Sequence, residues 1–168
     1  MCKEGKGIDF PFPKLFGRLA DEMLKKGIPM TLHILGSGIM EQQLKAMVKE
    51  RGLQEQVIFY GEQSNPYRYM KNADLFLLTS LREAAPMVID EAYILGVPTL
   101  ATRTNSSDEM ITDRSCGWVC ENDQQSLNKA LLAVLADAQA LKNKKQELRA
   151  RRVDNSLAMG QFIKLIEG

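Results

Sequence analysis

The stretch LFLLTSLREAAPMVIDEAYILGVPTLA, residues 75–101, contains one complete strand–helix–strand unit. Its two ends, Leu75–Thr79 and Thr99–Ala101, are short apolar runs without alternation, which is typical of strands buried on both faces. Its middle, Pro86–Leu95, begins with proline and is followed by the helix-ending sequence GVP. The stretch therefore predicts two parallel strands joined by a helix.

The same alternation of apolar runs and amphipathic stretches continues in both directions. Further strands are predicted at Met30–Leu35, Val57–Tyr60 and Trp118–Cys120, and further helices at Pro13–Lys26 and Glu41–Glu50. After residue 123 the pattern is helical only, with a stripe of leucines at Leu127, Leu131, Leu135 and Leu141. The sequence predicts a single α/β domain over residues 1–168, a Rossmann-like parallel sheet flanked by helices, with a helical C-terminal cap from about residue 123.

Composition and charge are those of an ordinary globular protein. Apolar residues make up 45% and charged residues 26%, and 22 Lys and Arg against 21 Asp and Glu give a net charge of +1. This balance provides no general attraction for nucleic acid. The sequence shows neither a signal peptide nor a membrane-spanning run, and we interpret Cys2, Cys116 and Cys120 as reduced thiols, so we expect a cytoplasmic protein.

The segment Lys142–Arg152 concentrates positive charge in the C-terminal cap. Such a run on a terminal helix is most often a solvated face. Its alternative role is peripheral contact with acidic lipid at the inner face of the membrane.

Two glutamates of the opening stretch lie on different elements near one crevice. Because Pro86 suits the first helical position, Glu83 falls in the loop before the helix and Glu91 in its second turn. The backbone amides of Met87 and Val88 are first-turn donors without partners inside the helix, and the helix dipole adds positive charge there. We expect a diphosphate to bind at these amides, Glu91 to accept hydrogen bonds from a ribose diol, and Glu83 to accept one from a sugar hydroxyl.

A wider set of motifs resembles a known family. Residues 80–92, SLREAAPMVIDEA, combine a serine, two glutamates with seven residues between them, a proline and a final Glu-Ala. Flanking motifs follow in order: Gly36-Ser37-Gly38, Val57–Gly61, Asn72-Ala73-Asp74, and Gly96-Val97-Pro98 before Thr99–Thr102. From about Lys6 to Asp123 the chain resembles the donor-binding, C-terminal half of retaining GT-B glycosyltransferases of group 1, which include bacterial capsule and lipopolysaccharide enzymes.

The resemblance implies a role for each matching residue. Glu83 would face the transferred sugar, Glu91 would hold the ribose, and Lys6 would bind phosphate. The other donor-binding positions, which act largely through backbone groups, would be Ala84, Ala85, Pro86, Met87, Val88, Gly36, Gly38, Gly61 and Gln63.

The resemblance also implies partners and chemistry. The donor would be a nucleotide diphosphate sugar, with UDP or GDP as the nucleotide, and transfer would retain the anomeric configuration without a metal or other cofactor. An N-terminal domain of the same enzyme would bind the acceptor. The arginine that the family places upstream of the lysine would fall at or before Met1, so we expect the chain to begin inside a longer protein.

Departures from the family pattern keep a second function open. Ala84 replaces the usual glycine and restricts the backbone beside Glu83, and Ser106-Ser107 replace a common Gly-Gly before Glu109. The main alternative is a non-catalytic module that binds a sugar nucleotide or a partner subunit. A sugar-nucleotide epimerase or a phosphorylase is less favoured, because we identify neither an acid–base pair nor a pyridoxal-binding lysine.

Three aromatic or imidazole side chains have less specific interpretations. His33 lies within an apolar run and is predicted to be an interior residue without a catalytic role. Tyr67 and Tyr69 follow a turn at Asn65-Pro66 and either border the base or contribute to packing.

Overall fold

The computed structural model describes residues 30–79, 87–104 and 106–151. Within these ranges the strands are β1 (Leu32–Ile34), β2 (Val57–Phe59), β3 (Phe76–Leu78), β4 (Thr99–Thr102) and β5 (Gly117–Cys120). The helices are α1 (Glu41–Glu50), α2 (Tyr67–Asn72), α3 (Met87–Ile94), α4 (Ser107–Arg114), α5 (Gln124–Ala136) and α6 (Ala138–Ala150). The helix predicted over Pro13–Lys26 lies outside the described residues.

The paired strands run parallel, as the strand–helix–strand units predict. β1 pairs with β2, with His33 opposite Ile58. β3, β4 and β5 pair in that order, with Leu77 opposite Leu100 and Leu100 opposite Trp118. The described residues therefore form parallel sheets of two and three strands with helices between successive paired strands, which confirms the α/β class.

β4 is the central strand of its sheet, and each of its four residues is buried. Because neighbouring side chains on a strand point to opposite faces, Leu100 and Ala101 belong to different parts of the core. Leu100 clusters with Leu127 of α5, whereas Ala101 clusters with Ile89 of α3 and Ile111 of α4. The run without alternation at this position correctly predicts a strand covered on both faces.

Among the described residues, the two-stranded sheet is covered on one face only. The covered face packs against Val48 of α1, and the opposite face carries His33 and Ile58, which are both exposed. Burial on both faces is therefore wrong for β1 and β2, and His33 is not an interior residue; its Nδ1 lies 2.9 Å from the hydroxyl of Tyr60. A run of three or four apolar residues does not distinguish one covered face from two.

Two helices, α2 and α4, are not predicted from the sequence. α2 has six residues, too few for a helical period to be recognised. α4 begins where the amide of Ser107 donates to Thr104 Oγ1 and the Ser107 hydroxyl donates to the carbonyl of Thr102. It ends at Ser115, which has a φ of 49°. Neither end carries the proline or glycine that marks α3.

The helical segment predicted after residue 123 consists of two helices in the described residues, and each begins with an aspartate cap. Asp123 Oδ1 accepts a hydrogen bond from the amide of Ser126, and Asp137 Oδ1 accepts one from the amide of Ala140, both at 2.9 Å. Such caps satisfy amides that have no partner inside the helix. Asp137 therefore marks the point where α5 ends and α6 begins.

Some of the positively charged side chains of α6 contact other elements of the fold. Lys145 Nζ lies 2.6 Å from Asp74 Oδ1, in the connection between α2 and β3. Arg149 Nη2 donates to the carbonyl of Lys71 at 3.1 Å. The basic segment is therefore not solely a solvated face.

The two described cysteines lie on different faces of the three-stranded sheet. Cys116 and Cys120 are buried and form no disulfide, and they belong to separate parts of the core. Burial raises the pKa of the Cys120 thiol to about 11. The two thiols are thus unpaired in the structure, and their reduced state stays a prediction.

Gly117 begins β5 at a point where a side chain has no room. A Cβ atom at this position would lie 1.7 Å from the carbonyl oxygen of Thr99 on β4. The close approach of the two backbones therefore depends on glycine.

We expect Gly117→Ala to lower the free energy of unfolding by about 3 kcal/mol or more, because β5 must shift away from β4 to admit the methyl group. Urea unfolding followed by circular dichroism measures the change. Gly52→Ala is the matched control: it strains a φ of 66°, but an added Cβ meets no atom within 4 Å. The control should lower the free energy of unfolding by only about 1 kcal/mol. Equal decreases in the two variants would contradict the steric explanation.

Candidate functional site

The loops that follow β1 and β2 meet at two glycines. The amide of Gly36 donates a hydrogen bond to the carbonyl oxygen of Gly61 at 2.7 Å. Gly36 has a φ of 107° and Gly61 a φ of 62°, values that glycine adopts without steric cost. Both loops leave the carboxyl ends of parallel strands, the edge at which such sheets bind ligands. The structure thus brings together predicted site residues from two separate motifs.

Side chains strengthen the connection between these loops. Ser37 donates from its hydroxyl to Glu62 Oε1 at 2.8 Å. Gly38, the third predicted glycine, accepts a hydrogen bond at its carbonyl from the amide of Glu41 at 3.0 Å, where α1 begins. The first loop is therefore held both by its neighbour and by the start of a helix.

The side-chain amide of Gln63 is engaged within the protein. Its Nε2 donates to the carbonyl of Tyr60 at 2.8 Å, and its Oε1 accepts from the hydroxyl of Tyr69 at 2.9 Å. The guanidinium of Arg68 lies over the Tyr69 ring, with Cζ 4.6 Å from the ring centroid. These contacts attach the second loop to α2 and hold the backbone of residues 61–63.

The two adjacent carboxylates of α3 have different surroundings. Asp90 Oδ1 lies 2.7 Å from Arg114 Nη2, in an ion pair that joins α3 to α4. Glu91 is half-buried, and its Oε1 accepts a hydrogen bond from the hydroxyl of Tyr67 at 3.3 Å. Asp90 therefore anchors the helix, whereas Glu91 faces α2.

The first turn of α3 contains the two amides predicted to bind a diphosphate. The side chain of Met87 is 73% exposed, and Val88 is half-buried. Ile89 and Ala92 are fully buried in the same helix. α3 is thus fixed to the sheet by one face while its first residue is exposed.

Tyr67, the first residue of α2, is a site residue for which the sequence offers no specific signal. It lies 24 positions before Glu91 in the sequence, and the short helix that orients it is not recognisable from the sequence. The negative charge of Glu91, together with the hydrogen bond to it, raises the pKa of the Tyr67 hydroxyl above its ordinary value. The phenol therefore remains a proton donor toward this carboxylate through the neutral pH range.

Five predicted site residues, Lys6, Glu83, Ala84, Ala85 and Pro86, lie outside the described residues, and their roles stay predictions.

In the part of the chain that the structure describes, His, Cys, Asp and Glu side chains form no group that could hold a metal ion. Each helix of the described ranges is too short or too polar to span a bilayer.

The described fold and site define a Rossmann-like α/β domain whose strand-end loops and helix N-terminus form one edge. Residues 13–155 match the family Glycosyl transferases group 1, and the chain belongs to this family. The resemblance inferred from the motifs is thereby confirmed at the level of the family.

Two curated relatives are bacterial enzymes. The chain is 30% identical over 124 residues to N-acetylgalactosamine-N,N'-diacetylbacillosaminyl-diphospho-undecaprenol 4-alpha-N-acetylgalactosaminyltransferase of Campylobacter jejuni, covering 73% of this chain and 34% of that protein. It is 29% identical over 119 residues to N-acetyl-alpha-D-glucosaminyl L-malate synthase of Bacillus anthracis, covering 70% of this chain and 31% of that protein. The chain therefore spans about a third of the length of these relatives.

Solved structures confirm the GT-B fold. TarM of S. aureus, solved with Fondaparinux, alpha-GlcNAc-glycerol and UDP, is similar with a TM-score of 0.72 and 18% identity, over 96% of this chain and 34% of that one. Alr3699/HepE of Anabaena, solved with UDP, has a TM-score of 0.65 and 22% identity, over 89% of this chain and 44% of that one.

We expect Glu91→Gln to lower the pKa of Tyr67, because the substitution removes the negative charge that opposes ionisation of the phenol. The measurement is an NMR titration of the chain labelled with ¹³C at the tyrosine Cζ atoms. Glu50→Gln, which changes an exposed carboxylate at the end of α1, should leave the Tyr67 titration unchanged. An unchanged Tyr67 pKa in Glu91→Gln would show that the two side chains are not in contact in solution.

Proposed function

We propose that this chain is the donor-binding half of a retaining glycosyltransferase. It binds a nucleotide diphosphate sugar, and the full-length enzyme transfers the sugar to a hydroxyl acceptor without a metal ion. The acceptor is bound by an N-terminal domain, in keeping with a chain that spans about a third of its relatives.

The observation that carries this proposal is the convergence of four separate segments at one edge of the fold. The loops after β1 and β2 are joined by the Gly36–Gly61 hydrogen bond. Gln63 connects the second loop to α2 through Tyr69, and Tyr67 connects α2 to Glu91 of α3. Motif residues far apart in the sequence are thus linked by contacts of about 3 Å.

Two of these segments, the loop after β2 and helix α3, suit the parts of a nucleotide diphosphate. The loop backbone of residues 61–63 provides amides and carbonyls for the edge of a base. Glu91 has two carboxylate oxygens, which match the two adjacent hydroxyls of a ribose. The amides of Met87 and Val88 at the start of α3 suit the diphosphate, because a helix N-terminus favours negative charge.

The chemical step that we propose combines the first-turn amides of α3 with residues that the family resemblance assigns. Departure of the nucleotide diphosphate builds negative charge, which the first-turn amides of α3 and Lys6 stabilise electrostatically. Glu83 orients the transferred sugar, and the amides of Ala84 and Ala85 with Pro86 complete the diphosphate loop.

UDP is the nucleotide to test first. Both TarM and Alr3699/HepE were solved with UDP. Two relatives are named for the transfer of N-acetylgalactosamine and galactose, respectively.

The buried, unpaired thiols of Cys116 and Cys120 fit a reducing, cytoplasmic location. We also propose peripheral membrane contact through the basic segment 142–152.

We expect one of UDP, GDP and ADP to raise the thermal stability of the chain. At about 100 times its dissociation constant, a ligand stabilises by about 2.7 kcal/mol, and differential scanning calorimetry measures the shift. Glu91→Ala should weaken binding about tenfold to a hundredfold, because it removes hydrogen bonds to a charged group. Glu50→Ala is the control and should bind as the unchanged chain does. The proposal would be contradicted if none of the three nucleotides stabilised the chain, or if Glu91→Ala bound the nucleotide as tightly as the unchanged chain does.

In the full-length enzyme we expect Glu83→Gln to lower kcat about a hundredfold or more, since one group that stabilises the transition state is lost. The dissociation constant for the nucleotide should stay within about twofold, because Glu83 faces the sugar and not the nucleotide. Transfer of radiolabelled sugar and calorimetric titration measure the two quantities. Nucleotide binding without any sugar transfer by the unmodified full-length protein would instead support the non-catalytic module.

A further inference from the structure

Helix α2 lies between two parts of the proposed donor site. Tyr67 and Tyr69 are two positions apart, which places them about 200° apart around a helix. Tyr69 donates to Gln63 in the loop after β2, and Tyr67 donates to Glu91 on α3. One short helix therefore contacts both the loop assigned to the base and the carboxylate assigned to the ribose.

A hydrogen bond from a neighbouring helix restricts the rotation of the Glu91 side chain. A glutamate has three rotatable side-chain bonds, and fixing a long side chain upon binding costs free energy. The hydroxyl of Tyr67 holds Oε1 at 3.3 Å. A carboxylate has about four lone-pair sites on two oxygens, so this bond leaves acceptor capacity for a diol.

The helix that carries Tyr67 is itself anchored, although it has only six residues. The ring of Tyr69 lies 4.6 Å from that of Tyr60, centroid to centroid. At the other end of α2, the carbonyl of Lys71 accepts a hydrogen bond from Arg149 of α6. Tyr67 thus approaches Glu91 from a helix fixed at both ends.

Packing alone does not explain this tyrosine. The side chain of Tyr67 is 46% exposed, and it belongs to none of the three hydrophobic clusters of the described residues. Its hydroxyl donates to the carboxylate of Glu91. The ion pair between α3 and α4 is formed by the neighbouring Asp90 instead.

Resting on the proposed function, we propose that Tyr67 is a positioning residue for ribose recognition: its hydroxyl orients the Glu91 carboxylate so that the carboxylate accepts the hydroxyls of the ribose diol. It acts through Glu91 and has no role in the chemical step. Its contribution is therefore specific to ligands that carry the diol.

The test is calorimetric titration of UDP and of 2′,3′-dideoxyuridine diphosphate into the unchanged chain and into Tyr67→Phe. We expect Tyr67→Phe to weaken UDP binding about fivefold to tenfold, the effect of losing one hydrogen bond. The dideoxy analogue should bind both proteins equally, within about twofold. The control is Tyr93→Phe, which removes a hydroxyl of α3 that bonds Arg151 and should change neither affinity.

An equal loss for both nucleotides would overturn the inference, because Tyr67 would then support the fold or the base loop. Unchanged UDP binding by Tyr67→Phe, with binding lost in Glu91→Ala, would overturn the inference and leave the proposed function standing. Absence of binding of UDP, GDP and ADP to the unchanged chain would defeat the proposed function and this inference together. The Tyr67 titration reports the contact without ligand, so a missing contact is distinguished from a missing donor site.

Discussion

The burial of β4 between helices on both faces is the constraint on which the site depends. Its four residues are inaccessible to solvent, and the two residues before it, Val97 and Pro98, are buried as well. α3 is held against this strand through Ile89, which clusters with Ala101. Because a helix is rigid over two turns, fixing these side chains also fixes the exposed first turn and Glu91. The position of the candidate site is thus determined in the core.

Hydrogen bonds between elements position the remaining parts of the site. The loops after β1 and β2 are bonded to each other, and α2 is bonded to the second loop, to α3 and to α6. Groups held in this way lose less freedom when a ligand binds, so more of the interaction free energy appears as affinity. The role of α2 is therefore larger than its six residues suggest.

The sequence predicts best where a single local rule determines the structure. β4 was predictable because its apolar run has one simple interpretation. α3 was predictable because a proline precedes it and the sequence GVP follows it, and the position of Glu91 follows from that helix. α2 was not predictable, since six residues carry no clear period, and its contact with Glu91 depends on tertiary packing. The exposure of His33 likewise depends on which face of a two-stranded sheet is covered, which no local pattern reports. Family membership followed from motif order, while the roles of Lys6 and Glu83 rest on resemblance.

The backbone hydrogen bond between Gly36 and Gly61 limits how the first two loops can change in length. An inserted residue in either loop would displace one glycine from the other, and a side chain at either position would strain a positive φ. The two loops are therefore a coupled pair that can be lengthened only together. Among related domains that keep this bond, we expect these two loops to diversify through exchanged side chains more than through changes in loop length.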